Sequence, residues 1–310
     1  MRQPRASVRD GRHAGRKLSA AAKRRHVLEV DSVSRRLPGG AALYEEGVAG
    51  GSPILLLHGV GGGAWSWRPQ RAALAASHRL YVWEARGHGA ASRVDDAGLA
   101  DYYVDARQAL DAVAAGTGRP AILVGHSMGG LLAIALACDV PASVRGLFLV
   151  DPVYADGAAG YGHFGPAAGR VAQFLCAPVL QSIERDGAMS RAISRWMFAR
   201  AFANRARMEA AWPDQRAQVP LEYPRMLREA FGRPEGFALR NFAGEISQPT
   251  FLLEGSLGGE GARFPELVAA LRERLGPRFF SETIGGGHYL QLDEPEAVNE
   301  RLARFARFCG

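Results

Sequence analysis

The chain is expected to be an α/β protein on a doubly wound, mainly parallel sheet, with a helical insertion after the sixth strand. Three observations predict this. Short apolar runs rich in β-branched residues alternate with longer amphipathic stretches along most of the sequence. One such run, Ala121-Ile122-Leu123-Val124, passes through Gly-His-Ser-Met-Gly straight into a stretch of helix formers, Leu131 to Ala137. Between Asp151 and Gln248, about a hundred residues carry many aromatics but no strand-like pattern. With 310 residues, of which 47% are hydrophobic, the chain can bury a sizeable core in one large domain or two smaller units.

The elements follow in order. "HVLEVDSV" (26–33) and "AALYEEG" (41–47) alternate as two strands of a hairpin. "PILLLHG" is a buried third strand and "SWRPQRAALAAS" a helix. "RLYVWEA" is the fourth strand, followed by an amphipathic helix, "DYYVDARQALDAVAAG", expected to end at Gly116. "PAILVG" and "VRGLFLVD" are the fifth and sixth strands. After the insertion come the strand "QPTFLLEG", the helix "PELVAALRERL", the strand "RFFSETI" and a last helix near "PEAVNERLARFARF". Within the insertion, Trp196, Met197 and Arg200 have helical spacing, and most of its aromatics should form its own core.

Charge is unevenly placed. The net charge is +7, but residues 1–25 hold nine of the 38 Lys/Arg and one of the 31 Asp/Glu, so the remainder is close to neutral. That basic stretch lacks apolar periodicity and is expected to be a disordered tail rather than a nucleic-acid-binding domain. It has no apolar segment of the kind a secretory signal requires. No apolar run approaches the ~18 residues of a membrane helix, so no membrane partner is expected. Cys138, Cys176 and Cys309 are odd in number and widely spaced. They suggest no disulfide framework and no metal pair, and fit a reducing, cytoplasmic setting.

The chemistry centres on Ser127. Gly125 and Gly129 bracket it with the G-x-S-x-G spacing of a strand-to-helix turn that exposes the hydroxyl above the sheet. A serine nucleophile needs a base, an orienting acid and donors for the developing oxyanion. His288, in "TIGGGHYLQLDEP", follows a strand and three glycines and is the candidate base. The competing histidines are less well placed: His58 and His126 belong to the motifs themselves, and His88 lies in the loop "ARGHGAAS". The oxyanion donors are expected to be the N–H groups of Met128 and of Val60 in "LLLHGVGGG", with Gly61 as the alternative to Val60. The glycine-rich turn has neither Gly-Lys-Ser/Thr nor G-x-G-x-x-G with an acidic partner, so it does not read as a phosphate cradle.

Taken together, "LLLHGVGG", "EARGHGAAS", "VGHSMGG" and "GGGHYLQLDEPEAV" resemble, in order and spacing, the alpha/beta-hydrolase superfamily from about residue 26 onward. The resemblance implies a core of residues 26–151 and 248–310, with residues 152–247 as a helical cap. It also implies where the acid should lie. In the common pattern it falls three residues past the glycine ending the seventh strand, and here Gly258 occupies that place. Glu260 lies two residues later, and Glu254 precedes the strand-ending glycine. A minority of the superfamily places the acid at the end of the sixth strand, where this chain has Asp151. Asp151 is taken as the acid, with Glu260 and Glu254 as alternatives.

A serine at the elbow sets aside the dehalogenase and epoxide-hydrolase chemistries of the superfamily, which use aspartate there. Hydrolysis of a carboxylic ester, lactone or thioester through an acyl-serine is the expected activity, with a small-molecule substrate and no metal or organic cofactor. Carbon–carbon bond hydrolysis and cofactor-free haloperoxidase chemistry run on similar triads. A ligand-binding receptor on the same fold is the non-enzymatic alternative.

Overall fold

The computed structural model describes residues 33–91, 97–152, 187–218, 244–257 and 265–310. The expected basic tail, and most of the strand expected at 26–33, lie outside these residues. Eight strands form one sheet in the order β1-β2-β4-β3-β5-β6-β7-β8. They are β1 (Arg35–Arg36), β2 (Ala42–Gly47), β3 (Ser52–Leu57), β4 (His78–Glu84), β5 (Ala121–His126), β6 (Val144–Val150), β7 (Thr250–Gly255) and β8 (Phe279–Ile284). The hairpin β1–β2 and the pair β2–β4 are antiparallel; every other pairing is parallel. Within the described residues, the first strand is the two-residue segment Arg35–Arg36, just past the expected run.

The described helices are α1 (Arg68–Leu74), α2 (Leu99–Thr117), α3 (Met128–Asp139), α4 (Gly187–Arg200), α5 (Arg205–Gln218), α6 (Pro265–Leu275), α7 (Leu290–Asp293) and α8 (Pro295–Cys309). A short 3₁₀ turn, Ala64–Trp67, leads into α1. Helix α2 runs past Gly116, correcting the expected end. Gly118 closes it instead, in the left-handed region at φ 65° with its N–H bonded to the Ala114 carbonyl.

Strand alternation divides the core into two layers. Leu55, Leu57, Leu123, Leu147 and Leu252 face α2, α3 and α6, while Ile54, Leu56, Val124, Phe148 and Leu253 face α1, α7 and α8. Both faces of the central strands are covered, so these strands are continuously apolar rather than alternating. Helix α3 is buried on all sides from Met128 to Ala137, which explains why its sequence shows no polar face.

A third, smaller cluster lies on the carboxyl side of the sheet. Phe198, Phe202, Met208 and Ala211 come from α4, α5 and the segment between them. They pack on Trp65, which follows β3, and on Tyr289, which follows β8. Trp196 does not join them; it is 55% exposed, with the Arg200 guanidinium 5.2 Å from its ring centre. The remaining aromatics of the insertion that are not described here by position lie outside the described residues, apart from Trp212, which packs on Phe198.

Candidate active site

Sheet order places the site. The chain winds outward from β3 in both directions, to β4 on one side and β5 on the other, so the loops leaving β3 and β5 diverge and open a crevice. Register Leu57↔Gly125 sets the glycine-rich loop beside the serine turn. Registers His126↔Val150 and Val150↔Leu253 bring the ends of β5, β6 and β7 into one row. Ser127 and Asp151 each follow directly from such an end.

At Gly125 and Gly129 the turn around Ser127 has no room for a side chain. A Cβ on Gly125 would lie 2.4 Å from the Gly129 carbonyl oxygen, and one on Gly129 would lie 2.1 Å from that of Leu57. Ser127 itself adopts φ 52°, ψ −120°, held by its N–H to the Val150 carbonyl and by its own carbonyl accepting from Gly130 and Leu131. Such a backbone is costly for a side-chain-bearing residue and persists because its surroundings over-determine it. Asp151 is the other described non-glycine residue at positive φ, at 44°.

The structure brings Ser127, His288 and Asp151 together. The Ser127 hydroxyl is 3.0 Å from His288 Nε2, and His288 Nδ1 is 2.5 Å from Asp151 Oδ2. A carboxylate only accepts, so the proton sits on Nδ1, leaving Nε2 as the acceptor for the serine proton. Asp151 is fully buried, and its second oxygen accepts the Gly255 N–H at 3.1 Å. The alternative Glu254 is buried within β7, and Glu260 lies outside the described residues.

The donor loop shows why Val60 and Gly61 differ. The Gly61 N–H is already bonded to His88 Nε2 at 3.0 Å, and the Gly62 N–H to the Gly59 carbonyl at 2.9 Å. Among the described residues the N–H groups of Val60 and Met128 have no such partner. Gly59 is hemmed in, since a Cβ there would lie 2.7 Å from that of Ser127.

Three buried histidines brace this arrangement. His58 donates from Nδ1 to the Gly59 carbonyl and accepts the Ala85 N–H at Nε2. His88 sits between Gly61 and the Arg86 carbonyl in the same way. His126 donates from Nε2 to the carbonyl of His288 itself, at 2.9 Å. Burial disfavours their charged forms, pushing His58 down to about 4 and His88 and His126 down to about 3. Neutral imidazole, with one donor and one acceptor, is what His58 and His88 need. Glu84, buried at the end of β4, accepts from the N–H groups of Ala64 and Ala90 and from the Tyr44 hydroxyl, joining the donor loop to the loop of His88.

Sequence reasoning weighs these histidines only as rival bases and does not single out Glu84. The available signal is their place inside glycine-rich loops, where the backbone needs partners.

The alpha/beta hydrolase family model matches residues 54–301, spanning the loop after β3, the serine turn and the histidine loop. The chain belongs to the alpha/beta hydrolase family. A protein named as a carbamate hydrolase, RutD, from Variovorax paradoxus (strain S110) is 46% identical over 112 residues, 35% of this chain and 41% of that protein. A protein named as an esterase, PIR7A, from Oryza sativa subsp. indica is 45% identical over 93 residues, 29% of this chain and 34% of that one. The matched stretches thus span less than half of these curated relatives. Among solved structures, the enol-lactonase from Burkholderia xenovorans LB400 superposes with a TM-score of 0.64 at 19% identity, covering 87% of this chain and 98% of that one. An esterase from Exiguobacterium antarcticum superposes at 0.67 and 17% identity, covering 88% and 98%. At these identities the superpositions speak for the fold. Among the described residues no helix is long and apolar enough to cross a membrane.

Proposed function

We propose that this alpha/beta hydrolase is a serine hydrolase that cleaves a carboxylic ester, lactone or thioester through an acyl-serine. One observation carries the reading: a continuous relay, Ser127 to His288 to Asp151, beside two backbone N–H groups that have no partner among the described residues. His288 Nε2 takes the Ser127 proton as Oγ attacks the substrate carbonyl carbon. The carbonyl oxygen becomes an oxyanion, which the Val60 and Met128 N–H groups receive; one such donor contributes about 3 kcal/mol in comparable enzymes. As the intermediate collapses, His288 returns the proton to the leaving oxygen or sulfur. It then takes a proton from water, whose oxygen attacks the acyl carbon; the acid leaves as the bond to Ser127 Oγ breaks and His288 returns that proton to Oγ. Asp151 holds the imidazole in its working tautomer and stabilises its charged form.

Residues 152–247 would form a cap over this site. The packing of α4 and α5 on Trp65 and Tyr289 supports that reading. The widely spaced cysteines fit a cytoplasmic setting. The named relatives make a carbamate a fourth substrate class to try.

The test is a screen of p-nitrophenyl esters, lactones, thioesters and carbamates, with intact-mass detection of the acyl adduct. A fluorophosphonate should add once, at Ser127, and Ser127→Ala should stay folded and lose nearly all turnover. Labelling at another residue, or an active alanine variant, overturns the reading.

A further inference from the structure

The base is held by more than its acid. Asp293, at the end of α7, is almost fully buried, and no described Lys or Arg is ion-paired with it. Its carboxylate instead gathers three backbone N–H groups. Oδ2 accepts from Gly287 at 2.7 Å and from Ala203 at 2.7 Å, and Oδ1 accepts from Asn204 at 2.9 Å. Gly287 immediately precedes His288; Ala203 and Asn204 lie in the segment joining α4 to α5.

That segment meets the histidine loop twice more. The Tyr289 N–H donates to the Ala201 carbonyl at 3.2 Å, and a Cβ on Gly287 would lie 2.3 Å from the same oxygen. On the other side, His126 grips the His288 carbonyl. A buried carboxylate without a counter-ion is costly unless its oxygens are well satisfied, and here the oxygens are satisfied only if loop and segment stay together.

We propose that Asp293 is a positioning residue for His288, fixing the imidazole by tying the loop beneath it to the Ala201–Asn204 segment. Docking of the helical insertion and alignment of the base are then a single event. This rests on the hydrolase reading above.

Asp293→Asn keeps the size but turns two acceptor sites into donors, so the amide opposes at least one of the three N–H groups. A displacement of about 1 Å at a reacting group can cost a hundredfold. The variant should therefore lose about ten- to a hundredfold in kcat on a small ester, with KM within about threefold of wild type.

The decisive measurement is the same substitution in a His288→Ala background. With no imidazole to align, Asp293→Asn should change the residual rate by less than about twofold. A folded Asp293→Asn enzyme of wild-type kcat, or a loss that multiplies fully in the His288→Ala background, overturns the proposal. A His288→Ala enzyme that still turns over normally overturns the hydrolase reading as well, so the two failures are told apart. If Asp293→Asn does not fold, the wild-type enzyme carries the test. Hydrogen exchange on the wild type gives an independent check: the amides of Gly287, Ala203 and Asn204 should open together, and unlinked exchange overturns the coupling.

Discussion

Replacing Asp151 by asparagine isolates the acid's charge. Asparagine has nearly the same size and tolerates the left-handed backbone that this position adopts, at φ 44°. Its amide can sit in two ways. With Oδ1 kept toward the Gly255 N–H, the amide NH₂ faces His288 Nδ1 and donates to it. The ring proton then moves to Nε2, which points at Ser127 and can no longer accept its proton. In the flipped amide two N–H groups confront each other at Gly255. The first arrangement is favoured, and it gives the wrong tautomer. Asp151 is fully buried, so water does not replace the missing acceptor. The same swap in the triad of a serine protease loses about four orders of magnitude, or ~5.5 kcal/mol of transition-state stabilisation. The expected loss in kcat here is therefore at least about a hundredfold and approaches ten-thousandfold. The assay is steady-state ester hydrolysis, with thermal melting to show that the variant is folded. A kcat within about tenfold of wild type refutes the reasoning and shifts the acid to Glu260, whose change to glutamine is otherwise expected to cost only a few-fold.

Two further outcomes follow from the same geometry. His58, His88 and His126 are all held below their ordinary value of 6.5, so the unfolded chain takes up protons that the folded chain refuses. Stability is then full above about pH 6.5 and falls as pH drops toward 4 and 3, by on the order of 2 kcal/mol per histidine between pH 7 and 5; denaturant melts at pH 7, 6 and 5 that superimpose would contradict this. Gly129→Ala drives a Cβ into the β3 backbone at Leu57 and should lower stability by more than about 3 kcal/mol or abolish soluble expression, whereas a variant melting like wild type would show that the turn has slack.

The strands are legible because both faces of the central sheet are covered, which writes their apolar runs plainly into the sequence. The end of α2 is not, because Gly116 and Gly118 look alike as letters, and only the backbone conformation distinguishes an interior glycine from a cap. Ser127 carries a local signature and His288 sits in a glycine-rich loop, so both can be named from the sequence. The acid cannot be narrowed to one position there, since its partner lies 137 residues away and two strand ends offer a carboxylate. His88, His126 and Asp293 escape assignment for a related reason: each acts on the backbone of a distant segment, and backbone groups leave no mark in a sequence.

The unusual backbone at Ser127 and Asp151 sets the site against the thermodynamic interest of the chain. Residues confined to such regions cost about 1–3 kcal/mol each, and glycine, which occupies them freely, is chemically blank. An engineer optimising this protein for heat resistance alone would be led to these two positions early, and on the proposed mechanism the hardiest products of that search are inert. Robustness and reactivity draw on the same two peptide units, so a stabilisation campaign has to hold both residues constant and seek its gains elsewhere in the molecule.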